Sequence, residues 1–219
     1  MNMAANSAGI SISGNAALFG GIVRLSDKCI AIGISTGGPP ALARLFADLH
    51  PPVPPIVVVQ HMPAAFTRPL AERLDGLSEI TVREATDGTP LLPNQALLAP
   101  GGKHLRIRRF GNLLRANVFD GPAVSSHKPS IDVLMTSVAE AFGRRCLGVI
   151  MTGMGRDGVA GCAAIRQSGG IVLGQDEQSS DVYGMNKIAF VEGHVDRQFA
   201  LGDVAAELMH EIQTKWLGG

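Results

Sequence analysis

The apolar positions of this chain fall into short runs, and most of these runs are separated by stretches with helical spacing. Residues 28–34 read as a buried strand, and Ile56-Val57-Val58-Val59 is β-branched throughout, as a strand covered on both faces would be. Leu147 to Met151 and Ile171 to Leu173 follow the same pattern, with a further strand near Ile80–Arg83. Helices are predicted over Pro39–Leu49 with proline in the first turn, through Leu70–Leu74, from a Ser130 N-cap onward, over Asp157–Gln167, and as an amphipathic Asp203–Trp216. Pro51-Pro52-Val53-Pro54-Pro55 ends the first of these helices. Strands alternating with helices predict an α/β fold: a doubly wound, mostly parallel sheet with helices on both faces. Residues 90–120 break the rhythm. Ala96–Ala99, Leu105–Arg108 and Leu113–Ala116 are short and separated by glycine-containing turns, which predicts a small antiparallel hairpin excursion. Residues 1–24, rich in Ser, Gly, Ala and Asn without a period, read as a flexible tail or linker, and 25–219 as one domain.

Doubly wound sheets carry their sites at the carboxyl ends of the strands, so the residues just past each strand are the candidates. Ser35 stands there in Gly33-Ile34-Ser35-Thr36-Gly37, a G-x-S-x-G frame. A hydroxyl becomes a nucleophile only when a base takes its proton, and that base needs an orienting acid. His61 directly follows Val57-Val58-Val59-Gln60, and Asp157 lies in the loop Thr152–Gly158 after the Leu147 strand. The other histidines have weaker positions. His50 follows a helix, His104 sits in a Gly-rich turn, His127 precedes Pro129-Ser130, His194 is in a loop and His210 is on the last helix. Each candidate also has a plainer reading: a hydrogen-bonded structural histidine, or an aspartate opposing a helix dipole. The order Ser, His, Asp differs from the Ser, Asp, His order of α/β-hydrolases, so the frame alone does not imply that fold.

Composition narrows the class. The chain has 219 residues, is 46% hydrophobic and 17% charged, and balances 19 basic against 19 acidic residues. Zero net charge gives no general pull toward nucleic acid or an anionic membrane surface. Lys103, Arg106, Arg108, Arg109 and Arg115 nevertheless cluster, as a solvated hairpin face or as a docking surface for an acidic partner. Cys29, Cys146 and Cys162 are widely spaced in apolar surroundings and read as buried thiols in a reducing compartment, without metal-ligand spacing. No apolar run is long enough to span a bilayer, and the N-terminus lacks a charged n-region. The expectation is a cytoplasmic protein without membrane insertion, nucleic-acid binding, metal or cofactor.

A rival reading uses the same loop. Gly153-Met154-Gly155-Arg156-Asp157-Gly158 fits G-x-G-x-x-G after a strand, and Asp176 ends the next strand, as in a dinucleotide site. Asp157 would then place a carboxylate where a pyrophosphate must sit, and like charges repel.

With these residues in hand, the chain from about Lys28 to Asp203 resembles the catalytic domain of the chemotaxis protein-glutamate methylesterases, the CheB family. The likeness rests on Ile32–Pro39, Val59-Gln60-His61-Met62-Pro63, Phe66-Thr67, Leu70–Leu74, Ala99–His104, Pro129–Leu134, Met151–Gly158 and Gln175–Ser179. The resemblance implies Ser35 as nucleophile, His61 as general base, Asp157 as the orienting carboxylate, and the backbone N–H groups of Thr36 and Met154 as the oxyanion hole. It also implies hydrolysis of glutamyl methyl esters on the cytoplasmic helices of methyl-accepting chemoreceptors, with methanol released. Members often also deamidate receptor glutamines. Residues 25–219 would then be the methylesterase domain, with the Arg-rich hairpin as its docking face. Three features depart from the family. Ile34 replaces a small alanine before the serine, and Gly184-Met185-Asn186 replaces Gly-Met-Pro. The inhibitory receiver domain of the family has no counterpart in residues 1–27, so the chain reads as a stand-alone esterase or as a portion cut at the linker. The alternatives from other classes are a catalytically silent receptor-docking module and a dinucleotide-binding domain.

Overall fold

A computed structural model describes residues 25–218; the tail expected over 1–24 lies outside the described residues. The strands are β1 (Cys29–Ile34), β2 (Ile56–Gln60), β3 (Thr81–Glu84), β4 (Gln95–Leu98), β5 (His104–Phe110), β6 (Leu113–Phe119), β7 (Cys146–Ile150), β8 (Ile171–Gln175) and β9 (Arg197–Phe199). The helices are α1 (Gly38–Asp48), α2 (Ala64–Asp75), α3 (Ile131–Phe142), α4 (Val159–Gln167), α5 (Met185–Val191) and α6 (Val204–Glu211). Seven strands form one parallel sheet in the order β3-β4-β2-β1-β7-β8-β9, and β5 and β6 form a separate antiparallel pair.

The sheet is covered on both faces, which explains the uninterrupted apolar runs of β1, β2 and β7, whose residues are all buried. On one face Leu42, Leu45 and Phe46 of α1, Leu70 and Leu74 of α2 and Leu208 of α6 pack with Ile30, Ile32, Val58 and Val149. On the other, Leu134, Met135 and Val138 of α3 and Cys162 and Ile165 of α4 pack with Ala31, Val57, Val59 and Ile150, together with Leu105 and Ile107 of the hairpin. Truncating a fully enclosed side chain such as Phe46 to alanine would cost about 3–5 kcal/mol. All three cysteines are buried and free, and burial pushes the Cys146 thiol up to about 11.

Three expectations need correction. Ala96–Leu98 is not part of the antiparallel excursion. As β4 it pairs parallel with β2, Val57 opposite Leu97, and with β3 on its other side. A short buried parallel strand and a hairpin strand look alike in sequence. The last helix keeps α geometry only to Glu211 and continues as a wider π turn over Ile212–Leu217. The helix predicted from about Asp157 to Gln167 begins at Val159, because Gly158 before it holds a left-handed φ of 98° that an α-helix does not contain. Two further elements, α5 and β9, are only seven and three residues long and show no period in the sequence. No helix of the described residues is long and apolar enough to cross a membrane.

Candidate active site

Ser35 and His61 stand one residue past a shared rung. In the β1–β2 register Ile34 pairs with Gln60, and the His61 amide donates to the Ile34 carbonyl at 3.1 Å. Adjacent strands lie about 4.8 Å apart, so the two residues begin side by side. The buried Gln60 side chain ties them together: its Nε2 donates to the Ser35 carbonyl at 2.9 Å and to the His61 carbonyl at 3.0 Å. The chain then turns sharply, with its left-handed φ (81°) on Gly37 rather than on the serine. From β7, on the other side of β1, Thr152 accepts the Ser35 amide on its carbonyl at 3.0 Å and donates its hydroxyl to the Thr36 carbonyl at 2.9 Å. Gly153 follows, so close that a Cβ there would lie 2.6 Å from the Ser35 Cβ.

Asp157 closes the group. Its Oδ2 lies 2.8 Å from His61 Nε2, and both side chains are nearly withdrawn from solvent, at 9% and 0% exposed. The same carboxylate accepts the amides of Ile131 at 2.7 Å and Asp132 at 3.0 Å, and the Ser130 hydroxyl at 2.8 Å. Asp157 therefore serves the N-terminus of α3, whereas the plainer sequence reading set it against its own helix, α4. Burial pushes its carboxyl up, but the His61 ring, the two amides and Ser130 together outweigh burial and hold it below the ordinary carboxylate value. A carboxylate only accepts, so the neutral His61 ring carries its proton on Nε2 and leaves Nδ1 as a bare lone pair. That Nδ1 is buried and has no hydrogen-bond partner among the described residues. The ring is thus used the other way round from the serine-protease template, where Nδ1 meets the aspartate. No hydrogen bond joins Ser35 and His61 among the described residues.

The N–H groups of Thr36 and Met154 donate to no group among the described residues. Both residues are exposed, with Met154 at 70%, and Ser35 is half-buried, so the group opens to solvent. Two amides without partners beside a hydroxyl, an imidazole and an ionised acid can stabilise a developing oxyanion while a proton moves. The dinucleotide reading finds no such fit. Asp157 is turned inward onto His61, and Asp176 is occupied by its own turn, accepting the Ser179 amide at 3.0 Å and hydroxyl at 2.6 Å.

His127, known from the sequence only as a residue ahead of Pro129-Ser130, stacks its ring on His61 with centroids 3.9 Å apart and planes 11° from parallel. The pointer lay nearby, since Ser130, three residues on, donates to Asp157. His61, His127 and Asp157 offer three ligand atoms within 4.8 Å of one another. Stacked rings, however, hold their lone pairs in parallel planes that do not meet at one ion. His104 is likewise not in a turn but is buried at the start of β5, its Nε2 2.9 Å from the Pro122 carbonyl. The two side-chain departures are absorbed. Ile34 is fully buried in the core, and Asn186 sits in the first turn of α5 and donates to the Gln175 carbonyl and to Ser180 Oγ, both at 2.9 Å.

Sheet order and strand-end placement define an α/β protein built on a doubly wound, mostly parallel sheet. The chain belongs to the CheB methylesterase family, whose profile matches residues 30–208. It is 48% identical over 191 residues to a protein-glutamate methylesterase/protein-glutamine glutaminase of Albidiferax ferrireducens, covering 87% of this chain and 55% of that protein. A relative of the same description from Photobacterium profundum is 47% identical over 187 residues, covering 85% and 53%. The crystal structure of the Thermotoga maritima CheB methylesterase catalytic domain superposes with a TM-score of 0.81 at 36% identity, covering 84% of this chain and 97% of that one. The chain thus spans about half the length of the curated relatives it matches.

Proposed function

We propose that this chain carries the hydrolase activity of a protein-glutamate methylesterase, acting on methyl-esterified glutamates of chemoreceptors in the cytoplasm and also deamidating receptor glutamines. One observation carries the reading: an ionised Asp157 bonded to His61 Nε2, with the opposite ring nitrogen buried and free one step past the rung that aligns Ser35. The two relatives described above carry both activities in their names, which supports the reading.

In this mechanism Ser35 Oγ attacks the side-chain carbonyl as its proton passes to His61 Nδ1. The carbonyl oxygen becomes an oxyanion between the Thr36 and Met154 amides. Asp157 stabilises the imidazolium without itself taking the proton. Collapse breaks the ester C–O bond, and the imidazolium returns its proton to the departing oxygen, giving methanol and an acyl-Ser35 ester. A water molecule then attacks that ester and gives one proton to His61, which passes it to the departing Ser35 Oγ; the product acid loses its remaining proton to solvent as glutamate carboxylate. The same steps on glutamine release ammonia.

The hairpin is proposed as the receptor-docking face in a narrower form than all five basic residues. Arg106 is held by Asn117 at 2.8 Å and lies over the Phe119 ring at 4.3 Å, and Arg115 donates to the Gly88 carbonyl at 2.7 Å. Lys103, Arg108 and Arg109 are exposed and remain for a partner.

Replacing Ser35 with alanine tests the central claim. Methanol release from methylated receptor should fall by several orders of magnitude, leaving the residual rate that binding and the oxyanion donors supply. An unchanged rate would reject the proposal. No release from the unaltered chain would favour a silent docking module.

A further inference from the structure

The two stacked imidazoles are held very differently. His61 is fixed through one nitrogen, by Asp157, and a ring held at one point can still swing about that bond. His127 is fixed by the turn it closes. Val124 and His127 exchange backbone hydrogen bonds of 3.1 and 2.9 Å, closing a tight turn. The two residues inside it, Ser125 and Ser126, have φ of 50° and 65°, a left-handed pair that serine adopts only where the surroundings enforce it. The His127 Nδ1 lies 2.7 Å from the Ser125 carbonyl, which only accepts, so Nδ1 is the donor and the ring plane is set. Gly155 approaches the ring edge, where a Cβ would come to 4.0 Å from His127 Cε1. The enforced turn and the Ser125 carbonyl therefore present one flat face, and that face lies on the His61 ring.

We propose that His127 is a positioning residue for the hydrolysis. Lying flat on His61, it holds that ring in the orientation in which Nε2 meets Asp157 and Nδ1 is left for the Ser35 proton. This rests on the esterase reading above. The stack has a second effect once the proton moves: the new imidazolium lies against the π face of its neighbour, where a cation is attracted. An aromatic ring provides both effects, whereas an aliphatic side chain of similar bulk provides neither. A side chain that only filled the space would be replaced by leucine without loss.

The test compares Ser35→Ala, His127→Ala, His127→Leu and His127→Phe in the full chain, by methanol release from a peptide carrying a glutamyl methyl ester. Each protein is also examined by carbon-edited NMR of the His61 ring protons, which a stacked neighbour moves upfield. The expected kcat falls about 10²-fold in His127→Ala and His127→Leu with KM nearly unchanged, the cost of a misplaced reacting group. The kcat of His127→Phe returns to within about tenfold of the original. The upfield shift persists in His127→Phe and disappears in the other two. Undiminished kcat in His127→Ala or His127→Leu overturns the inference. So does a His127→Phe protein as slow as both, since imidazole chemistry and not a flat face would then be required. If Ser35→Ala still hydrolyses the ester, the esterase reading falls instead, while the ring-proton shifts still decide whether His127 orients His61.

Discussion

Asp157 and Asp132 cap each other's helices. Asp157, just ahead of α4, accepts the amides of Ile131 and Asp132 at the start of α3. Asp132, in the first turn of α3, accepts the amides of Gly158 and Gly161 at the start of α4, each at 2.8 Å on Oδ1. The two carboxyls are nevertheless pushed in opposite directions. Asp157 is held below its ordinary value against burial, whereas burial and the facing Asp157 charge raise Asp132 despite its two amides.

Asp157→Asn should therefore fail twice. With an amide in place of the carboxylate, the His61 tautomer is no longer enforced, and kcat is expected to drop by about 10³–10⁴. An amide nitrogen cannot accept, so one of the buried donors loses its partner, at about 1–3 kcal/mol. Steady-state kinetics and urea unfolding of the same preparation check both. Lost activity with an unmoved unfolding midpoint would mean that the α3 cap contributes little.

The two carboxyls have opposite pH signatures. Asp157, depressed in the fold, contributes stability above the ordinary carboxylate range near ~3.9, and this is lost as pH falls through its lowered folded value. Asp132, raised in the fold, costs stability once it ionises, and the cost is relieved as pH falls. Asn caps a helix about as well as Asp. Asp132→Asn should accordingly be more stable than the original protein at pH 7, with the gap closing toward pH 3. Denaturant midpoints across that range measure it, and a gap that widens on acidification would show the sign to be wrong.

Gly153→Ala adds a methyl where only 2.6 Å separates it from the Ser35 Cβ and 2.9 Å from the Met185 thioether. Met185 can yield, but Ser35 is tied to the ends of two strands, so the serine rung or the Met154 amide must shift. The expected result is a loss of about 10²-fold in kcat, comparable to that of a small misplacement of a reacting group. Far-ultraviolet circular dichroism should be unchanged. Full activity would mean that the loop moves freely away from Ser35.

Arg108→Ala with Arg109→Ala removes two exposed cations from the hairpin. Turnover of methylated receptor should weaken through KM, and more so at low ionic strength, where exposed charges are least screened. The kcat/KM for a small methyl ester should stay as it was. An equal loss on both substrates would move the role of the hairpin from docking to folding.

Much of this was legible because the sheet is parallel and buried. Runs such as Ile56–Val59 announce such strands, and strand ends on one edge bring Ser35, His61 and Asp157 together. What escaped depends on contacts far apart in sequence. The choice of parallel partners for Ala96–Leu98 is set by β2 and β3, not by its own four residues. Met185–Val191 and Arg197–Phe199 are too short to show a period. His127 stands out only as a residue ahead of Pro129-Ser130, because nothing local says that a two-serine turn will lay its ring on His61. Gln60 is only the residue that leads into His61 in the sequence, and the fold shows it bridging two carbonyls.

The placement of alcohol beside imidazole has a structural origin that no loop controls. It is inherited from the interstrand repeat of a parallel ladder, a dimension common to every such sheet, and is locked by one glutamine amide. Surface segments around the group are therefore free to diverge and meet new partners, while the spacing of its first two members stays fixed by backbone geometry.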